Sequence, residues 1–294
     1  MEAVQGLGDN GQPGTLYVVG TPIGNLDDLT SRARSILLSV PVVVCEDTRR
    51  TGRLLSAIGA KARLISCFEH KEARCAEEVV GLLSSGTSCA FCTDAGTPNI
   101  SDPGRRLLAR VLDVGIRVMP IPGVSAVTAL LSCCPFNADR FHFLGFLPEK
   151  AVRRREYLNH VSHLDCPLIF FEAPHRLKQS LRDLLECLGD REILMGREMT
   201  KVHEEVRLTR IGSLIEYFER HEPRGEFTFC VEGRADATHE DEAMEDILEL
   251  LELIVPGLTH TKAVSKVLSR ITGVSAGKIY DAIVSVRHRE KVKE

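Results

Sequence analysis

The residues best suited to chemistry lie together in one stretch, Asp94-Ala95-Gly96-Thr97-Pro98-Asn99-Ile100-Ser101-Asp102-Pro103-Gly104. Two carboxylates, two glycines and two prolines fall within these eleven residues. Glycine admits a ligand to the backbone, while proline removes a donor and fixes φ, so the loop has a set shape. An apolar run, Cys89-Ala90-Phe91-Cys92, precedes it, and an amphipathic run from Arg105 to Leu112 follows. That order predicts a short buried strand, then a helix with Ser101 as its N-cap and Pro103 near its first turn. Open α/β sheets bind ligands where a strand end opens into such a loop at a helix start. Taken alone, the loop is better explained as a stiff turn.

Its neighbours change the odds. Other predicted strands end in Gly20-Thr21-Pro22, Cys45-Glu46-Asp47-Thr48-Arg49, Ile121-Pro122-Gly123-Val124-Ser125 and Phe171-Glu172-Ala173-Pro174. In a parallel sheet these carboxyl ends share one edge, so the loops can converge. Several chemistries are absent from the sequence. No Gly-x4-Gly-Lys-Ser/Thr cradle is present, Gly20-x-x-x-Gly24 is not a dinucleotide fingerprint, and there is no His-Glu-x-x-His. Gly123-Val124-Ser125-Ala126-Val127 lacks the second glycine of a nucleophile elbow. What remains is a neutral, backbone-rich pocket flanked by acids and cations. Such a pocket suits a zwitterionic or net-cationic ligand better than a triphosphate.

Positioning these loops requires alternating elements. Strands are predicted at Thr15–Val19, Pro41–Cys45, Leu64–Phe68, Cys89–Cys92 and Arg117–Ile121, with helices between them. The pattern implies a mainly parallel sheet with helices on both faces. Pro122-Gly123 breaks the chain, and strands at Phe141–Phe146, Pro167–Phe171, Glu192–Met195 and Phe227–Val231 imply a second, mixed sheet. The expected division is a disordered leader over 1–14, an α/β domain over 15–122, a second over 123–235, and a small helical C-terminal domain over 240–294. Asp236 to Glu252 holds eight acidic residues without Lys or Arg, whereas Lys262 to Glu294 holds eight basic against three acidic. The acidic part reads as a helix with a solvated face, and Gly273 and Gly277 punctuate two further short helices.

Composition sets outer limits. The chain has 294 residues, a net charge of −4 and ordinary apolar content, so any nucleic-acid surface must be local. No apolar run approaches the ~18 residues of a membrane span. The ten cysteines mostly sit inside apolar runs. They read as buried thiols rather than as a disulfide frame, and no metal site is expected. Cysteine usage also points to the cytoplasm.

In this order, the loops resemble the tetrapyrrole-methylase superfamily of S-adenosylmethionine enzymes, and within it the bacterial RsmI family of 16S ribosomal RNA methyltransferases. The resemblance is carried by Thr21-Pro22-Ile23-Gly24-Asn25-Leu26, Glu46-Asp47-Thr48-Arg49, Asp94 to Gly104, Pro122-Gly123-Val124-Ser125-Ala126, Gly145-Phe146-Leu147-Pro148, Glu172-Ala173-Pro174-His175-Arg176 and Arg197 to Glu205. Departures are small: Val124, Met199, Cys133-Cys134-Pro135, and Asn99 where glycine is usual. Asn tolerates the left-handed region, so the loop can keep its shape.

The resemblance implies a two-domain α/β methyltransferase fold, a homodimer, and 2′-O-methylation of a cytidine ribose in the decoding region. S-adenosylmethionine would be held by Pro22, by Asp94, Ala95, Gly96, Thr97 and Ile100, by Ser125 and Ala126, and by Phe171 with Glu172. Arg49, Arg176 and Arg197 would meet RNA phosphates. The ribose hydroxyl must lose a proton. Glu46, Asp47, Glu198, Lys201 and His203 are candidates to assist, with Lys201 and Glu198 preferred. A methylase of small tetrapyrroles and a non-catalytic RNA-binding or ribosome-assembly protein remain as alternatives.

Overall fold

The computed structural model describes residues 12–68, 72–234, 247, 250–251, 260–272 and 274–291, the last five by backbone alone. Five strands, β1 (Leu16–Val19), β2 (Val42–Cys45), β3 (Arg63–Ser66), β4 (Cys89–Cys92) and β5 (Val118–Ile121), form a sheet in the order β3-β2-β4-β1-β5. Every pairing in it is parallel, as the alternation with helices predicts. Strands β2 and β4 are buried at every position, so they read as unbroken apolar runs. Helices α1 (Ser31–Ser39), α2 (Thr48–Ile58), α3 (Glu72–Ser84) and α4 (Arg105–Asp113) connect the strands. One apolar cluster joins α3 and α4 to the sheet through Val79, Leu83, Leu107 and Val111. Another joins α1 and α2 through Ile36, Leu37, Leu55 and Ile58. The two clusters cover opposite faces.

Local chemistry sets the helix ends. The Asp47 carboxylate accepts from the Arg49 amide at 2.8 Å and starts α2, and Gly59 at φ 76° ends it. The start of α4 departs from the sequence expectation. Ser101 does not cap it; the N-cap is Gly104, at φ 136° and without a side chain. The cap comes from another helix. Oε1 of buried Glu72, the first residue of α3, accepts from the Gly104, Arg106 and Leu107 amides at 3.1, 2.7 and 3.2 Å. A carboxylate there also complements the positive end of the helix.

After α5 (Ala126–Ser132) the second sheet runs β6 (His142–Phe146), β7 (Leu168–Glu172), β8 (Glu192–Arg197), β9 (Glu205–Arg210) and β10 (Phe227–Val231), in the order β6-β7-β10-β8-β9. Only β6 and β7 pair in parallel; the other three pairings are antiparallel, so the sheet is mixed as expected. Helices α6 (Ala151–Val161), α7 (Pro174–Leu188) and α8 (Ile211–Arg220) complete this half. Strand β9 and helix α8 were not foreseen from the sequence. Along β9 exposed and half-buried residues alternate, as on an edge strand, and no apolar run marks it.

These two sheets belong to one compact unit, and residues 163–165 and 233–294 form a second. The second unit contains α9 (Thr261–Thr272) and α10 (Ala276–Lys291), packed around Ile247, Leu251, Val274, Ile279 and Ile283. Gly277 lies inside the first turn of α10 rather than between helices. Most of the acidic segment and residues 1–11 lie outside the described residues. Gly14 is already packed, with its amide on the Leu83 carbonyl at 2.7 Å.

Candidate functional site

Strands β1 and β4 are neighbours whose connections leave the sheet in opposite directions, the arrangement that opens a crevice at the strand ends. The loops after them are tied together. Thr21 and Gly96 exchange backbone hydrogen bonds of 2.9 and 3.0 Å, and Thr21 Oγ1 donates to the Thr93 carbonyl at 3.2 Å. Gly96 takes φ 78°. Gly20 and Gly123 hold the ends of β1 and β5 in backbone contact, for a Cβ on Gly123 would lie 2.7 Å from the Gly20 carbonyl oxygen. Asn99, at φ 70°, adopts the left-handed conformation expected of it, and Ser101 does so as well, at φ 61°.

A cavity of about 430 Å³ opens at this edge. Nine of the ten residues that the resemblance assigns to the methyl donor line it: the Asp94–Thr97 run, Ile100, Ser125, Ala126, Phe171 and Glu172. Pro22 does not, but its neighbour Ile23 does. One wall is acidic. Asp94 Oδ1 accepts from the Asp47 amide at 3.1 Å, and its Oδ2 lies 3.4 Å from Arg50 Nε, so the loops after β2 and β4 brace each other. Burial, then the neighbouring Asp94 and Asp102, push the Glu46 carboxyl above its usual range. Burial also raises Asp102, and Asp94 adds to the effect. The opposite wall is apolar. Phe171 packs against Phe146 and Phe143 at centroid separations of 5.5 and 5.2 Å, and Phe146 stays half exposed at the lining.

Several predicted residues occupy other places. Glu172 lines the cavity, but its carboxylate is used beneath it, on the Ala173 amide, the Ser180 hydroxyl and the Arg176 guanidinium. Arg176 also donates to the Leu147 carbonyl and thereby ties β6 to α7. Arg197 donates to the Arg224 carbonyl at 2.8 Å and faces Glu205 at 3.7 Å. Arg49 is exposed and paired with Asp47 at 2.7 Å. None of these three arginines lines the cavity, whereas Arg50 does.

Lys201 and Glu198 lie beside the lining, which Met199, Gly225 and Glu226 supply. Lys201 Nζ sits 2.9 Å from Glu198 Oε1 and 3.0 Å from Glu226 Oε2. Its partial burial works against the ammonium, but the hydrogen bonds it donates to Glu198 and Glu226 prevail and raise its pKa. The Lys201 hydrogen bond holds Glu198 below the usual carboxylate range. The two carboxylates therefore favour the ammonium form of Lys201. Its stem covers Gly24, where a Cβ would come 2.4 Å from Lys201 Cγ. Sequence reading did not place Phe146 or Glu226 at the site. The Gly-Phe-Leu-Pro run signalled the first, but nothing local signalled Glu226. The thiols of Cys89 and Cys92 are buried in β4, which pushes them up to about 11 and about 12.

A wholly parallel sheet joined to a mixed one, with a ligand-sized cavity at the strand ends, is the architecture of the tetrapyrrole (corrin/porphyrin) methylases, and the model of that family matches residues 15–215. Solved structures of the fold include the methyltransferase CobJ, with a TM-score of 0.59 at 16% identity, covering 76% of this chain and 95% of that one. Uroporphyrin-III C-methyltransferase from Thermus thermophilus, complexed with S-adenosylhomocysteine, gives 0.54 at 20% identity, covering 74% and 97%. Within the superfamily the chain belongs to the ribosomal RNA small subunit methyltransferase I family. It is 36% identical to that protein of Neisseria meningitidis over 97% of this chain and 98% of the relative, and 39% identical to that of Escherichia coli O157:H7 over 92% and 95%.

Proposed function

We propose that this protein transfers a methyl group from S-adenosylmethionine to the 2′-hydroxyl of a cytidine ribose in 16S ribosomal RNA. The observation that carries this reading is the convergence of nine family-implied residues on one cavity of mixed character. The cavity fits the donor. Its acidic wall suits an ammonium and a sulfonium, its aromatic wall suits apolar surface, and Arg50, the one cation that lines it among the described residues, is paired with Asp94. When bound, S-adenosylmethionine supplies an already activated methyl group, so alignment accounts for much of the rate. The backbone of the Asp94–Thr97 loop holds the amino-acid end. Ile100 and Phe171 contact apolar surface and exclude water.

On the acceptor side, Lys201 and Glu198 form the catalytic pair. Lys201 acts as a fixed cation toward developing negative charge, and Glu198 holds it in place. Glu46, a lining carboxylate whose pKa burial and the neighbouring Asp94 and Asp102 raise, is the group proposed to accept the hydroxyl proton. Arg49, Arg176 and Arg197 belong to the RNA side, Arg176 by fixing the Leu147 loop. The protein acts in the cytoplasm as a homodimer. The exposed Val206 and Leu208 of edge strand β9 support pairing with a second copy. No helix among the described residues is long and apolar enough to cross a membrane.

One assay separates the readings. Radiolabelled S-adenosylmethionine is incubated with small ribosomal subunits, naked 16S RNA or a porphyrinoid. Label at one alkali-resistant cytidine of the RNA is expected, whereas label in the porphyrinoid alone would refute the proposal. For Lys201→Ala, single-turnover rate is expected to fall at least tenfold with donor affinity unchanged by calorimetry. Lost donor affinity at an unchanged rate would remove Lys201 from the acceptor side.

A further inference from the structure

Among the described residues, all that line the cavity lie in the first compact unit. The family model ends at residue 215. Solved chains of the fold match to 94–97% of their own length while covering only 74% of this chain. The fold is thus complete without the C-terminal unit. The ribosomal RNA methyltransferase relatives match over 97% of this chain and 98% of their own, so they extend through it.

Helix α9 has an unusual surface for a protein with a net charge of −4. Its sequence, Thr261-Lys-Ala-Val-Ser-Lys-Val-Leu-Ser-Arg-Ile-Thr272, contains no acidic residue. Val264 and Leu268 face the core of the unit. Lys262, Lys266 and Arg270 recur every fourth residue, are all exposed, and make no ion pair among the described residues. Residues four apart share one helix face, so these cations form a row about 12 Å long. Val267 and Ile271 form a second exposed row beside them, at 55% and 73% exposure. Cations able to meet successive phosphates, next to apolar side chains able to meet riboses and unstacked bases, make a nucleic-acid surface.

We propose that α9 is a phosphate-binding face by which the C-terminal unit docks on ribosomal RNA. The proposal rests on the reading above that ribosomal RNA is the substrate. Charge complementarity selects the occupant: the row carries three positive charges that make no ion pair among the described residues, and the substrate is a polyanion. The interaction adds affinity for RNA and takes no part in methyl transfer.

The test uses the full chain carrying Lys262→Gln, Lys266→Gln and Arg270→Gln together, with 16S RNA as the probe. All three positions are exposed, and an unchanged melting temperature reports that the variant folds. RNA affinity is expected to fall at least tenfold. At ~0.7 per single-strand phosphate contact, the slope of log affinity against log salt is expected to flatten by about 2. The KM for RNA rises while kcat and S-adenosylmethionine affinity stay at wild-type values. A second variant, Lys262→Arg with Lys266→Arg, keeps the row and is expected to retain affinity. Equal RNA affinity and salt slope in wild type and Gln variant, while the wild type methylates RNA, would overturn the docking face alone. Wild type that neither binds nor methylates RNA would overturn the substrate reading and this proposal with it. Loss of binding only to vesicles containing anionic lipid would assign the row to a membrane and refute the proposal.

Discussion

Removing the carboxylate of Glu72 tests how the proposed donor loop, Asp94 to Gly104, is held. This side chain belongs to α3, yet its Oε1 accepts from three amides at the start of α4, at 3.1, 2.7 and 3.2 Å. Glu72 is 5% exposed, so water cannot readily replace it. Losing a helix cap costs about 1 kcal/mol, and a hydrogen bond to a charged group contributes about 1.5–3 kcal/mol net. One oxygen shared among three donors does not give three times that figure. For Glu72→Ala the expected loss is about 3 kcal/mol, a cavity included. Glu72→Gln keeps an acceptor and loses the charge, and should cost about 1 kcal/mol. In a unit of this size the two shifts correspond to about 6–12 °C and 2–4 °C in melting temperature.

The functional consequence follows from position. The Asp94–Gly104 loop enters α4 directly, and Gly104 can approach Phe91 only because it lacks a side chain; a Cβ would lie 2.6 Å from the ring. Frayed amides at Gly104 and Arg106 free the end of the loop that carries Ile100 and Asp102. Donor affinity by calorimetry is expected to weaken several-fold in Glu72→Ala and less in Glu72→Gln. Should both variants melt within 1 °C of wild type, the carboxylate does not hold α4. Should Glu72→Ala melt early yet bind the donor as wild type does, the cap does not shape the loop.

Other consequences can be checked in the same way. Gly123→Ala places a Cβ 2.7–2.8 Å from the Gly20 backbone and should lower stability by more than 2 kcal/mol in urea unfolding, since neither backbone can move without disturbing β1 or β5. Arg154→Ala leaves Asp183, 1% exposed, without the guanidinium that holds it at 2.5–2.7 Å; about 3–5 kcal/mol should be lost, and the double change Arg154→Met with Asp183→Leu should recover much of it. Glu46 and Asp102 have raised folded pKa values, so the folded protein keeps their protons longer than the unfolded chain does. Their contribution to stability therefore declines as pH rises from the ordinary values of 4.5 and 3.8 toward the folded values, and a cationic donor reverses this by favouring the carboxylates. Donor binding should release protons in that window and strengthen with pH, with Glu46→Gln flattening the profile; affinity that rises on acidification would contradict it.

Much of the fold was legible because burial wrote it as apolar runs. Both faces of the first sheet are covered, so β2 and β4 are continuous Val and Cys-Ala-Phe-Cys segments bounded by turn residues. Strand β9 escaped because only alternate residues are half buried and its Val206 and Leu208 face outward. The donor loop was legible because its glycines and prolines record backbone shape directly. Its support was not. Glu72 lies 32 residues from Gly104 in sequence, and no local pattern links a carboxylate on one helix to the amides of another. The surroundings of the cations were not legible for a related reason. An arginine's sequence neighbours do not show whether its guanidinium is already engaged, and Arg176 and Arg197 both are.

Backbone strain marks the same division. Among the described residues, four non-glycine residues have positive φ: Asn99, Ser101, Glu198 and Thr200. Two lie in the donor loop and two in the segment beside the cavity. Such conformations cost of order 1 kcal/mol or more each and persist only where the surroundings impose them. Around Glu198 the constraint is visible: its amide donates to the Glu226 carbonyl at 2.9 Å, the Glu226 amide returns to its carboxylate at 2.9 Å, and Lys201 closes the turn onto both. The β8–β10 pairing of Arg197 with Phe227 ends at that point, so the two strands hand the chain to the cavity in a fixed register. Asn99 could be foreseen because asparagine replaces the usual glycine there, whereas Glu198 and Thr200 could not, since neither residue type favours the left-handed region. Residue type thus shapes the backbone at Asn99, and pairing across the second sheet shapes it at Glu198. Changes at Glu226, which no sequence motif marks, should therefore disturb Lys201 as much as changes at Glu198 do.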